Sequence, residues 1–334
     1  MKIGLTYDLR SEYLASGYSE YQTAEFDRDD TIDTIERTLQ QLGYRTDRIG
    51  NAKQLIERLV TGDQWDLVFN IAEGLNGIAR EAQVPAILDL YEIPYTFSDP
   101  LVMTLTLHKA MAKRVIRDAG IPTSDFITVE CWQDAKGAFF DPPYFIKPVA
   151  EGTGKGVSPA SIVQARDELA DACESLLLKH KQPVLVESYL PGRELTVGIL
   201  GTGQRAKALG TVEVHLLDQA EQGVYSYLNK EHCETLVHYH LVRADEDSVV
   251  EKAEMIALDV WKVLDCRDAG RVDLRCDQHG NPLFLEVNPL AGLHPEHSDL
   301  PILCNMLGIS YQKLIQGIVD SAVNRIKHHI SNSS

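Results

Sequence analysis

The sequence predicts an α/β fold that turns to α+β in its C-terminal half, on three observations. Strand-like and helix-like runs alternate through residues 1–100, as expected of parallel strands joined by helical crossovers. Strand-like runs then follow one another between Pro183 and Leu216 with no helical period between them. Finally, Arg271 to Arg275 and Pro282 to Val287 flank Asp277-Gln278-His279-Gly280-Asn281, a turn-forming stretch, and this predicts a β-hairpin.

The chain's 334 residues allow two or three domains, and 44% hydrophobic with 24% charged residues suits a soluble globular protein. A net charge of -17 argues against nucleic acid or an anionic membrane as partner, because both demand clustered Lys and Arg. A phosphate-bearing ligand must then meet a few locally placed cations. No apolar run approaches the roughly 18 residues of a membrane span, so a cytoplasmic location is expected. Six cysteines without a CxxC pair fit reduced thiols.

Met1 to Tyr7 reads as the first strand, and residues 8–30 lack clear period. Asp30 is expected to open a helix with Ile32, Ile35, Leu39 and Leu42 on one face, ending at Gly43. A helix from Ala52 to Val60, a strand from Asp66 to Asn70, a helix from Ala82 to Tyr91 and the run Ile93-Pro94-Tyr95-Thr96 complete the first unit. The loop Glu73-Gly74-Leu75-Asn76-Gly77 follows a strand end, where open sheets place ligands, although a plain strand-to-helix turn reads the same way. Lys109 begins the next helix, where the dipole disfavours an ammonium; an anionic neighbour or, more commonly, solvent answers that.

Tyr144 to Pro148 is a strand carrying Lys147 in an apolar run, followed by Glu151-Gly152-Thr153-Gly154-Lys155-Gly156-Val157-Ser158. Three glycines in five residues let a backbone fold over phosphate, and they also suit an ordinary glycine-rich hairpin; the Walker A spacing is absent. Pro183 to Leu200 reads as two strands, and the run continues through Ala206 to Leu216. The irregular polar stretch 218–235 has the length of a functional lid. An amphipathic helix from Val249 to Leu264 leads into the hairpin, Ser310 to Ile326 closes the chain, and fraying is expected after Lys327. Folding the hairpin brings Asp273, Glu286 and Asn288 together, three oxygen donors of the kind Mg²⁺ prefers beside phosphate. A solvated hairpin with outward charges is the competing reading.

In order along the chain, Ile93-Pro94-Tyr95-Thr96, Lys109, Ile146-Lys147-Pro148, Glu151-Gly152, Leu185-Val186-Glu187, Gly192-Arg193-Glu194-Leu195-Thr196-Val197, Gly270-Arg271-Val272-Asp273, Glu286-Val287-Asn288 and Gly292 resemble the D-alanine-D-alanine ligases of the ATP-grasp superfamily, from Asp66 to about Ala322. The resemblance implies an ATP-grasp fold: an N-terminal Rossmann-like domain over 1–100 and two ATP-grasp subdomains, 101–186 and 187–327, with the lid at 218–235. It implies an ATP-dependent ligase that phosphorylates one amino acid's carboxylate and lets a second amino acid's amine attack the acyl phosphate. Lys109 and Lys147 would contact the nucleotide phosphates, Glu187 and the backbone at Leu190 the adenine, and Glu194 the ribose. Glu151, Gly152 and Gly154 would cover the phosphates. Asp273, Glu286 and Asn288 would hold Mg²⁺, with Mn²⁺ as a substitute, and Arg271 with the backbone of Gly292 would face the oxyanion, with Lys230 over the transferring group. The partners implied are small-molecule amino acids and a second copy of the chain, a homodimer built through the N-terminal domain.

Departures cluster where substrates are chosen. Glu73 stands where the family has histidine, Gly77-Ile78-Ala79-Arg80 replaces a GED-like run, and the loop serine appears as Thr153 followed by Gly154-Lys155. The lid tyrosine aligns with Glu231, with Tyr227 as the alternative; Glu25, ahead of Glu20, matches the acid for the first substrate's ammonium. The tail His294-Pro295-Glu296-His297-Ser298-Asp299 is lengthened, leaving His297 and Ser298 for the second substrate's carboxylate. Ligation of other amino acids or of a specialised metabolite therefore stands beside D-alanine ligation, and a non-catalytic nucleotide-binding regulator is the alternative of a different class.

Overall fold

The computed structural model describes residues 1–332, with side chains to Lys327. Its first sheet is parallel, in the order β2-β1-β3, from β1 (Lys2–Thr6), β2 (Arg45–Gly50) and β3 (Leu67–Asn70). The crossover helix Asp29–Gln41 buries Ile32, Ile35 and Leu39 against Ile3 and Leu5. That helix starts a residue early: Arg28 occupies the cap position without a side-chain cap, and Asp29 and Asp30 both sit in the first turn, where the helix dipole favours acids. The helix Ala52–Val60 has the expected bounds, fixed by a capping box in which the Asn51 side chain accepts from the N–H groups of Lys53 and Gln54. Residues 8–30, without visible period, include the short helix Arg10–Ala15.

The second sheet is antiparallel, in the order β4-β7-β5-β6, from β4 (Phe126–Val129), β5 (Tyr144–Pro148), β6 (Ile162–Val163) and β7 (Val184–Ser188). The third runs β10-β9-β8-β11-β12, also antiparallel, from β8 (Glu194–Leu200), β9 (Lys207–Leu216), β10 (Val237–Val242), β11 (Ala269–Cys276) and β12 (Pro282–Asn288). The two strands expected between Pro183 and Leu200 exist, but they belong to different sheets: Pro191-Gly192 carries the chain from one to the other.

The helix Ser248–Val263 covers the third sheet with Ala253, Ala257, Val260 and Trp261. Trp261 is fully buried yet satisfied, its Nε1 donating to the Gly201 carbonyl at 3.1 Å. Gly270 makes room for that ring, since a Cβ there would lie 2.7 Å from it. The closing helix Tyr311–Asn332 returns to the first sheet, burying Leu314, Ile315, Ile318 and Val319 beside Ile32 and Ile35. It runs past Lys327 to Asn332, and Ser333 and Ser334, part of the tail expected to fray, lie outside the described residues. The stretch 218–235 is not irregular throughout, because Tyr227–Glu231 and Cys233–Leu236 form short helices. Among the described residues no helix is long and apolar enough to cross a membrane, and the six cysteines are free, with only Cys131 exposed.

Candidate active site

The hairpin register sets Asp273 directly opposite Glu286 and Arg271 opposite Asn288, so the expected oxygen donors do converge. Asp273 is held from three sides: Thr196 Oγ1 donates to it at 3.0 Å, Asn288 Nδ2 at 3.3 Å, and the Arg271 guanidinium pairs with it. Burial pushes the Asp273 carboxyl up, with Glu286 adding to that and Arg271 opposing. Arg271 also lies 3.5 Å from Asp299.

Cations gather over Glu286. Lys109, first residue of the helix Lys109–Asp118, turns inward, donating to the Glu151 carbonyl at 2.6 Å and lying 3.5 Å from Glu286. Its environment is therefore anionic, not solvent. Burial disfavours the Glu286 charge, but Lys109, Lys147, Lys230 and Arg271 outweigh it and hold this carboxyl well below the usual range. Lys147 on β5 pairs with Glu187 at 3.0 Å, and Lys113 pairs with the same carboxylate at 2.6 Å. Lys113 is 0% exposed and also donates to Thr123 Oγ1, Ser124 Oγ and the Phe284 carbonyl, which makes a fully buried ammonium tolerable. Glu187, expected beside the adenine, is thus clamped: burial works against its charge, and the two lysines hold it down at about 2.

Two cavities meet at this point. One is lined by Lys147, Glu187, Leu190, Glu194, Asp273 and the apolar Phe145, Val157 and Leu285. The other is lined by Glu25, Glu73, Thr153, Arg271, Gly292, His297 and Ser298. Lys109, Lys230 and Glu286 line both. Glu194 pairs with Arg275 at 3.2 Å, and Arg275 donates to the Gly223 carbonyl at 3.0 Å. Lys230 lies over the Tyr225 ring, 4.7 Å from its centroid. Thr153 and Gly154 both adopt positive φ, and Gly154 presses on the stretch 218–235 so closely that a Cβ would sit 2.8 Å from the backbone nitrogen of Tyr227. Glu231 pairs with Arg10 at 3.3 Å, joining the stretch 218–235 to the N-terminal unit.

In the second cavity Glu25 is already engaged. Arg80 lies 2.9 Å and Lys155 3.2 Å from its carboxylate, and the Gly152 N–H donates to it at 2.6 Å. His297 contacts Glu234 at 2.6 Å and Arg28 at 3.1 Å, while Ser298 Oγ accepts from the His294 N–H at 3.0 Å. A Cβ on Gly292 would meet that Oγ at 2.7 Å. Sequence reasoning missed Lys113, Arg275, Asp27 and Glu81, and took Arg80 and Lys155 only as departures. Lys113 had a signal, one turn beyond Lys109 on the buried face with Ala110 and Ile116.

Residues 115–320 match the family described as D-ala D-ala ligase C-terminus. A D-alanine-D-alanine ligase of Parvibaculum lavamentivorans is 32% identical over 298 residues, covering 85% of this chain and 89% of that protein. The uncharacterized protein y4sG of Sinorhizobium fredii is 32% identical over 300 residues, covering 88% and 87%. The fold is shared with the D-alanine-D-alanine ligase of Bacillus anthracis complexed with ATP (TM-score 0.75, 23% identity, 98% of this chain and 99% of that one). It is also shared with the VanG D-Ala:D-Ser ligase of Enterococcus faecalis (TM-score 0.72, 20% identity, 96% and 99%). The chain belongs to the D-alanine-D-alanine ligase family and is an ATP-dependent ligase with the ATP-grasp fold.

Proposed function

We propose that the two cavities are the nucleotide and amino-acid halves of one active site joining two amino acids. A carboxylate oxygen of the first attacks the γ-phosphorus of ATP and ADP leaves. The amine of the second then attacks the acyl carbon, phosphate departs with that oxygen, and the amine gives up a proton. The observation carrying this reading is the sharing of Lys109, Lys230 and Glu286 between the cavities, because phosphoryl transfer must occur where nucleotide and acceptor meet.

In this reading Lys109 and Lys147 hold the phosphates, and Glu151, Gly152 and Gly154 fold over them. Leu190 and the clamped Glu187 border the base, and Glu194 the ribose. Arg271 and the backbone at Gly292 stabilise the oxyanion, fixed donors acting on charge that appears only in the transition state. Thr153 and Lys230 stand at the transferring group; His297 and Ser298 border the second amino acid. Asp273, Glu286 and Asn288 fit a magnesium or manganese ion: they are oxygen donors, and an adjacent cation would relieve the burial that raises Asp273. Such an ion would neutralise phosphate charge.

D-alanine, named for the Parvibaculum relative, is the reference substrate. A cytoplasmic homodimer belongs to the same reading. Val60 (75% exposed) and Leu90 (79% exposed), with Ile56 and Tyr91, put apolar surface on the N-terminal helices, which supports pairing there. The test is ADP release with ATP, Mg²⁺ and pairs drawn from an amino-acid panel including D-alanine. Release that requires an amino acid is expected; none with any pair would refute the reading.

A further inference from the structure

Three carboxylates border the cavity that the ligase reading gives to the amino acids. Asp27, Glu73 and Glu81 all border the second cavity, and their carboxylates have no hydrogen bond or ion pair among the described residues. The nearest cations are committed elsewhere: Arg80 to Glu25 and the Ala150 carbonyl, Lys109 to Glu286 and the Glu151 carbonyl. Glu25, the acid that the family resemblance matched to the ammonium, is already answered by two cations and a backbone N–H. Half-buried carboxylates without a protein partner are met by protons, solvent or a ligand.

We infer that the first substrate is a basic amino acid, a diamino acid or similar, whose side-chain cation and α-ammonium are met by Asp27, Glu73 and Glu81. This rests on the ligase reading of the cavity. A single α-ammonium would leave most of this wall uncompensated; a second cation answers it. A metal ion fits less well. The only His, Cys, Asp and Glu group among the described residues with three ligand atoms within 4.8 Å of one another is Cys233, Glu234 and His297, which does not include these acids. Without ligand the wall holds protons: burial, with Asp8 adding, pushes Asp27 up to about 8. Burial against Arg80, with Glu25 adding, puts Glu81 at about 7, and Glu73 is raised by burial and then by Glu81.

The test is calorimetric titration of the full chain with Mg²⁺ and a non-hydrolysable ATP analogue. Both enantiomers of ornithine and lysine are compared with norvaline and norleucine, neutral near-isosteres. The basic members should bind at least about tenfold tighter, as expected when a desolvated charge pair is made or missed. In E73Q/E81Q, shown folded by its melting curve, that preference should fall to less than about threefold. Equal or weaker binding of the basic members, no binding of any member, or an unchanged preference in the folded variant would overturn the inference. ADP release with the same panel is read separately: basic members that bind without turnover would sink the ligase reading and leave the binding preference standing.

Discussion

On the side of the cleft proposed for the nucleotide every acid named has a cation: Glu187 has Lys113 and Lys147, Glu194 has Arg275, Glu286 has Lys109, and Asp273 has Arg271. On the N-terminal wall Asp27, Glu73 and Glu81 have no hydrogen-bonded or ion-paired partner among the described residues. Both regions are recessed and line one continuous site, so the difference lies in pairing. A paired network is set before ligand arrives and places phosphate-binding groups without further reorganisation. An unpaired wall is completed by the ligand, and there charge selects which ligand is accepted.

The largest expected effect comes from breaking the paired side at its centre. Glu286→Gln removes the charge that four cations surround, and we predict a loss in kcat for ADP formation of about 10³-fold or more, measured by a coupled assay. Lys113→Met should come next. It leaves Glu187 buried with one partner fewer, and loss of one member of a buried pair costs about 3–5 kcal/mol, read by denaturant unfolding. The comparison predicts the opposite for the other wall: Glu81→Gln should be neutral or stabilising, because it removes an unanswered carboxyl.

The smallest effect is a pH dependence. Asp27 and Glu81 have folded pKa values of about 8 and about 7, above the carboxylate range of about 4 in the unfolded chain. The folded state therefore binds protons that the unfolded state releases. Their contribution to stability is complete below about pH 4 and is lost as pH rises through 7 and then 8. The ligand-free melting temperature should carry a falling component over that window, and Asp27→Asn should flatten its upper part. A profile identical in the variant would break the account of the wall.

What the sequence revealed follows how local each feature is. The pairing of Asp273 with Glu286 needs only one turn and strand alternation, and the register bears it out. The strand holding Lys147 and the helix Ala52–Val60 are equally local. Lys113 was harder, because its partners Ser124, Glu187 and the Phe284 carbonyl lie on three separate segments. The wall was hardest. Asp27, Glu73 and Glu81 carry no motif, and only Glu73 stood out, by departing from the family's histidine. Nor does sequence alone reveal that Glu25 is already paired, since Arg80 and Lys155 reach it only in the assembled fold.

The central claim, that a carboxylate is activated by phosphoryl transfer at the junction of the two cavities, is most directly tested with an ¹⁸O-labelled carboxylate on the first amino acid and ATP. The account predicts one ¹⁸O in each phosphate released, with ADP and a peptide lighter by one water than its two components. Unlabelled phosphate, or AMP in place of ADP, would contradict it.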